Sequence, residues 1–209
     1  MNNSPWIDVT RPLYPGMPVW PGDPAVSERA ISRIADGDGC NVTQWTFGSH
    51  TGTHVDPPLH FIAGGAPVPA MDLNALCGPC RVLDFAERAD HVSERDLASC
   101  KGVERILLKT RNSFRDPGVF HADFIALSES AAEWAVGSGV RLIGIDAPSI
   151  EPFGAGNHPV HHRILGAGIV VIEGLALAQL PAGDYEMVCA PLPWRDGDGS
   201  PCRTLIRRI

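Results

Sequence analysis

Pro12, Pro15, Pro18 and Pro21 recur every third residue. A proline fixes φ and removes a backbone donor, so no helix or sheet strand can run through this stretch. With 19 prolines and 22 glycines among 209 residues, the chain must consist of short elements joined by fixed turns. Strand patterns of mixed β-branched and apolar residues are predicted at Trp6–Val9, Val42–Phe47, Arg81–Phe85, Arg105–Lys109, Val140–Ile145, Ile169–Glu173, Glu186–Cys189 and Thr204–Ile209. Helices are predicted after Ser93, with Asp96 completing a cap, and after Ser128, ending near Gly137 or Gly139. A third, short helix is expected over His158–Leu165, with Pro159 in its first turn. Strands outnumber helices and do not alternate strictly with them. The expected fold is therefore α+β, a mixed sheet or open barrel with a few flanking helices.

With 44% hydrophobic and 20% charged residues, a folded core is expected. No repeat or linker interrupts residues 1–209, so one domain is expected although a typical domain has about 150 residues. The net charge of −7 weighs against a nucleic acid or an anionic membrane as partner. No apolar run approaches the roughly 18 residues of a membrane helix. The segment Met1–Trp6 has neither the basic nor the apolar region of a signal peptide. A cytoplasmic protein is expected, with its six cysteines as thiols.

The chemistry concentrates in two stretches. The first is Ser49-His50-Thr51-Gly52-Thr53-His54-Val55-Asp56-Pro57-Pro58-Leu59-His60. Gly52, Pro57 and Pro58 disfavour a helix here. In an extended segment His54 and Asp56 share a face, and a bend at Gly52 would bring His50 to them. Two imidazoles and a carboxylate leave positions on zinc open for water, as a catalytic site requires. One histidine here could be an ordinary surface residue. Four such groups flanked by apolar and glycine-rich sequence are costly to bury unless something satisfies them. The second stretch is His158-Pro159-Val160-His161-His162-Arg163, followed by Glu173, the one charge in Ile169–Gly174. A carboxylate ending an apolar strand needs a partner. An arginine would suffice, but a histidine cluster so close upstream favours a metal-ligand reading.

Cys77-Gly78-Pro79-Cys80 copies the thioredoxin dithiol pattern. In a redox protein that motif follows a strand and opens a helix, whereas here it leads into a strand. Two cysteines with no matching pair are also too few for a structural zinc site. No Gly-x-Ser-x-Gly is present, which removes support for a serine hydrolase of the nucleophile-elbow type. A non-catalytic metal- or ligand-binding module is the bland alternative, and His60, beyond the minimum ligand set, speaks against it. Arg163 and the Arg207-Arg208 pair read as solvated charges.

The histidine run resembles the signature of the cyclase-like metal-dependent hydrolases, which have a swivelling β/β/α fold. The kynurenine formamidase (arylformamidase) branch is the nearest resemblance. It extends over nearly the whole chain, through Trp6-Ile7-Asp8-Val9-Thr10, Pro18-Val19-Trp20-Pro21-Gly22-Asp23, Gly78–Asp84 and Ile172-Glu173-Gly174-Leu175. The resemblance implies hydrolysis of N-formyl-L-kynurenine to L-kynurenine and formate, a step of tryptophan catabolism in the kynurenine pathway. A related cyclic-amide hydrolase, such as an isatin hydrolase, is the alternative, with Mn2+ as a possible metal. It further implies two Zn2+ ions per chain. His50, His54 and Asp56 would hold one, and Asp56 and Glu173 would bridge to the second. The family's second histidine lies twelve residues before the glutamate, which selects His161, with His162 as fallback. His60 matches the family's proton donor and acceptor, Trp20 its substrate-contacting aromatic. A homodimer with the active site near the interface is also implied.

Overall fold

The computed structural model describes residues 4–209. The first three residues of the N-terminal segment read above lie outside the described residues. In chain order the elements are β1 (Ile7–Asp8), β2 (Ser27–Ser32), β3 (Val42–Thr46), β4 (His54–Asp56), α1 (Leu73–Leu76), β5 (Cys77–Phe85), α2 (Glu94–Leu97), β6 (Arg105–Thr110), α3 (Glu129–Gly137), β7 (Leu142–Ile145), α4 (Pro159–Gly166), β8 (Val170–Glu173), β9 (Gly183–Pro191) and β10 (Ser200–Arg208). The caps read from the sequence are formed. Ser93 and Asp96 make a reciprocal capping box on α2, and the Ser128 hydroxyl accepts from the Ala131 N–H on α3. These helices are too short to hold alone in water, so their packing against the sheet maintains them. Among the described residues no helix is long and apolar enough to cross a membrane.

The fold is α+β, with a mixed, barrel-like sheet. Strands β5, β6, β7 and β8 run parallel to one another, whereas β4, β9, β10 and β1 add antiparallel pairings. The sheet order is β1-β10-β4-β8-β7-β6-β5-β9, and a further β9–β10 pairing closes β10 through β9 into a ring, with β1 added along β10. Strand alternation then separates two cores. Val55, Val82, Leu107, Leu142, Ile172 and Ile206 belong to one. Ile106, Leu108, Ile143 and Val171 belong to the other, with Ala131 and Ala135 of α3 and Ile164 of α4. Each fully buried aliphatic side chain of this kind contributes about 1.5–3 kcal/mol.

Several strands exceed their sequence patterns. The strand read from Arg81 begins at Cys77, the one read from Glu186 begins at Gly183, and the last begins at Ser200. The hydrogen-bonding ladder continues past the apolar residues that betray it. Strand β2 and helix α1 had no sequence signal. The predicted strand at Val42 exists, but it pairs only with β2 in a hairpin apart from the barrel. All of β3 is exposed, including Val42 and Trp45.

Candidate metal centre

The register of β4 on β8 sets the site. His54 lies opposite Glu173, Val55 opposite Ile172 and Asp56 opposite Val171. Val55 and Ile172 join one core, so His54, Asp56 and Glu173 project from the other face, where α4 packs. All three are buried, Asp56 completely at 0% exposure. Unpaired, each buried charge would cost several kcal/mol, so the cluster must neutralise itself or hold a cation.

The loop before β4 brings in His50. Gly52 and Gly174 both have φ of +67°, and a Cβ on Gly174 would sit 2.2 Å from the Gly52 carbonyl oxygen. Only glycine permits that approach, which presses the histidine loop against the end of β8. Gly199 is as constrained, since a Cβ there would lie 2.4 Å from Cε1 of His50. His50 Nδ1 is 2.9 Å from Asp56 Oδ1. His50 Nε2 and Asp56 Oδ2 are buried without a hydrogen-bond partner among the described residues.

Helix α4 supplies the other wall. Asn157 and His158 enter it with φ of 61° and 47°. Left-handed backbone at residues other than glycine costs about 1–2 kcal/mol each. Contacts to Glu151 offset this: the Val160 N–H donates to its Oε1 at 2.8 Å, and His158 Nδ1 lies 3.0 Å from its Oε2. His161 turns inward and is buried, whereas His162, the fallback of the sequence reading, is exposed. Glu173 is bound by His54, His161 and the Ile150 N–H rather than by an arginine.

Two imidazoles are held in one orientation. His54 Nδ1 donates to the Gly52 carbonyl at 3.1 Å, leaving Nε2 at 3.4 Å from both Asp56 Oδ1 and Glu173 Oε2. His161 Nδ1 is 2.8 Å from Glu151 Oε2, leaving Nε2 3.3 Å from Glu173 Oε1 and 3.8 Å from Asp56 Oδ2. Among the described residues four triads could hold a metal, and two of them, His50/His54/Asp56 and Asp56/His161/Glu173, share Asp56. The two orphaned atoms, His50 Nε2 and Asp56 Oδ2, belong to residues of these triads, and an unpartnered buried acceptor among them suits a cation. The donor set of imidazole and carboxylate fits a divalent metal of the zinc or manganese kind.

Electrostatics fit the same account. Burial opposes charge on His54, but hydrogen bonds and attraction from Asp56 and Glu173 prevail and raise its pKa well above the ordinary value. Burial likewise opposes charge on His161, yet Glu151 and Glu173 push it up to about 10. Burial works against ionisation of Asp56, and His50 and His54 nevertheless hold it well below the usual carboxylate range. His60 differs. Burial lowers it to about 4, so the ring is neutral at pH 7. It stacks on His50 with centroids 3.7 Å apart. Phe61 stacks on His161 at 4.2 Å.

A cavity of about 520 Å³, an ordinary size for a small substrate, opens over the cluster and is lined by Trp20, His60 and Asp198 among others. Trp20 meets Phe120 edge-on at 5.6 Å and Phe153 at 5.2 Å. The sequence reading missed Glu151 and Asp198. Glu151 carries a faint signal, a lone charge between Ile150 and Pro152 just ahead of the second histidine stretch. Asp198 carries none. All six cysteines are free, and Cys80 lies inside β5, its thiol pushed up to about 12 by burial. An activated dithiol needs the opposite shift.

A family model described as putative cyclase matches residues 7–152. The kynurenine formamidase of Geobacillus thermodenitrificans (strain NG80-2) is 37% identical over 207 residues, 99% of each chain. A solved structure described as a potential metal-dependent hydrolase with cyclase activity superposes with a TM-score of 0.84. It is 37% identical, covering 97% of this chain and 96% of the other. Isatin hydrolase A from Labrenzia aggregata, bound to benzyl benzoate, also superposes at 0.84, but at 25% identity over 98% of this chain and 93% of its own.

Proposed function

The chain belongs to the putative cyclase family, and we propose that it is a metal-dependent amidohydrolase of the kynurenine formamidase kind. Its substrate in this reading is N-formyl-L-kynurenine, hydrolysed to L-kynurenine and formate in tryptophan catabolism. The observation that carries the reading is the pair of triads sharing Asp56 beneath a cavity walled by Trp20. Full-length identity of 37% to a kynurenine formamidase, against 25% to an isatin hydrolase, favours this substrate.

His50, His54 and Asp56 would hold one metal ion; Asp56, Glu173 and His161 would hold a second, both taken as Zn2+. When bound, such ions act as Lewis acids that polarise the amide carbonyl and ease deprotonation of water. Glu151 keeps Nε2 of His161 turned toward the site by accepting at Nδ1. His60, neutral at pH 7, begins the cycle able to accept a proton from the attacking water. It then returns that proton to the anilide nitrogen as the C–N bond breaks. Trp20, braced by Phe120 and Phe153, presents a face or edge to the aniline ring and excludes water beside it.

The proposed unit spans the chain and acts on a small molecule in the cytoplasm, where the free thiols suit a reducing milieu. We assign it as a homodimer. The β2–β3 hairpin stands apart from the barrel and exposes Ile31, Val42 and Trp45, with Val42 and Trp45 on opposite faces of β3, apolar surface suited to cover by a second copy. Turnover of N-formyl-L-kynurenine and of isatin, with and without a chelator, tests the function. Chelator-sensitive cleavage of the formanilide is expected. Preference for isatin, with Mn2+ restoring activity best, would support the cyclic-amide alternative. Turnover unaffected by a chelator that strips the protein would overturn the metal reading.

A further inference from the structure

A second cavity, about 210 Å³, adjoins the first and shares Trp20, His50 and His54 with it. One side is apolar, with Met17, Phe120 and Phe124. The polar side holds Arg11. Arg11 is half-buried, and the partners of its guanidinium are main-chain carbonyls. Nε donates to Gly174 at 3.1 Å, and one terminal nitrogen donates to Asp146 at 3.0 Å. Its other terminal nitrogen has no hydrogen bond, and the side chain forms no ion pair, among the described residues. The carboxylate of Asp146 is not available to it, being taken by donors from Thr110, Asn112 and Ser113. A brace between the N-terminal segment and the end of β8 would account for the bonded nitrogens but not for the one left over. His121 lines the same cavity, and its Nε2 is buried without a partner.

A guanidinium fixed by carbonyls, with no carboxylate in direct contact and with an orphaned imidazole nitrogen lining the same cavity, matches a carboxylate. Gly174 directly follows Glu173, so Arg11 is anchored one residue from the metal cluster. We infer that Arg11 and His121 form the subsite for the carboxylate of the substrate's amino-acid tail. Asp116, exposed and lining the same cavity, would face the ammonium. This inference rests on the formamidase reading and names the part of the chain that separates formylkynurenine from plainer formanilides.

The test compares N-formyl-L-kynurenine with 2′-formamidoacetophenone, which keeps the ring, ketone and formamide but lacks the tail. In Arg11→Gln the preference for the tailed substrate should fall by about ten- to hundredfold, mainly through KM. Arg11→Lys, which keeps the charge, should retain more of it, and His121→Ala should show a smaller loss in the same direction. Zinc content and circular dichroism establish that each variant is folded. If Arg11→Gln does not fold, Arg11→Lys and His121→Ala carry the comparison. Unchanged preference in folded variants would overturn the subsite. If the parent protein hydrolyses neither formanilide, the formamidase reading falls by itself. Calorimetry with L-kynurenine then judges the subsite: weaker binding in the variants supports it, and equal binding refutes it.

Discussion

His60 lies face to face with His50, their planes 23° apart and centroids separated by 3.7 Å. The stacking places His60 on a proposed ligand without giving it a place in either shared triad. His60→Ala should lower kcat by about 10²–10⁴-fold, the usual contribution of a general acid or base. Its zinc content should not change. The loss should shrink for anilides with better leaving groups, which need less protonation as they depart. The nearest competing role is coordination, because His60 also gathers with His50 and Asp198. Zinc lost together with activity would assign it that role instead.

His161 and His162 are adjacent but point in opposite senses, one buried and one exposed. His161→Ala should lose the second metal and most activity. His162→Ala should keep both and change stability by no more than about 0.5 kcal/mol. Elemental analysis of the two purified proteins decides between them, and the reverse pattern would move the ligand to His162.

Metal uptake should release protons. In the metal-free cluster the pKa of His161 stands at about 10 and that of His54 well above its ordinary value, so both carry a proton at pH 7. Coordination requires their neutral forms, so each bound proton competes with the metal. Affinity for zinc should therefore rise as pH is raised from 6 to 8 and fall in the other direction. Calorimetry in buffers of differing ionisation enthalpy measures the protons released. A pH-independent affinity would contradict the charge state inferred here.

Cys77 and Cys80 sit in strand β5, and Cys80 is buried with a raised pKa. A Cys77→Ser, Cys80→Ser double variant should retain metal and turnover once folded. Loss of either in the folded protein would return the dithiol motif to the mechanism.

Replacing Trp45 and Val42 of the hairpin with Glu should shift sedimentation from dimer to monomer while the barrel stays folded. The two substitutions cover both faces of β3, and burying either carboxylate in an apolar interface without a partner costs far more than a typical contact returns. A parent protein that sediments as a monomer would remove the dimer assignment.

Much of the candidate site is legible in sequence because the proposed ligands are local. His50, His54 and Asp56 fall within seven residues, and strand alternation alone puts two of them on one face. Glu173 stands out because a charge ending an apolar strand has to be explained. His161 was separated from His162 only by family spacing, and the helix then turned one in and the other out. Glu151 left only a lone charge ahead of the second histidine stretch, and Arg11 and Asp198 could not be read this way. Arg11 reaches the site by bonding to Gly174, and Asp198 by approaching His50, contacts that exist only once the chain has folded. The β2–β3 hairpin was half seen for a different reason. It buries little, so its sequence carries little of the apolar alternation by which strands are recognised.

Strand β10 touches β1, β4 and β9, and it is the last of the ten in chain order. During synthesis β4, with His54 and Asp56, leaves the ribosome long before the strand that seals its free edge. Until β10 arrives, the ring stands open and a row of backbone donors and acceptors beside His54 and Asp56 is unpaired. The catalytic pocket is thus a product of completion: it cannot mature before β10 has been made, and a chain lacking that strand exposes an edge prone to aggregation in place of an enzyme.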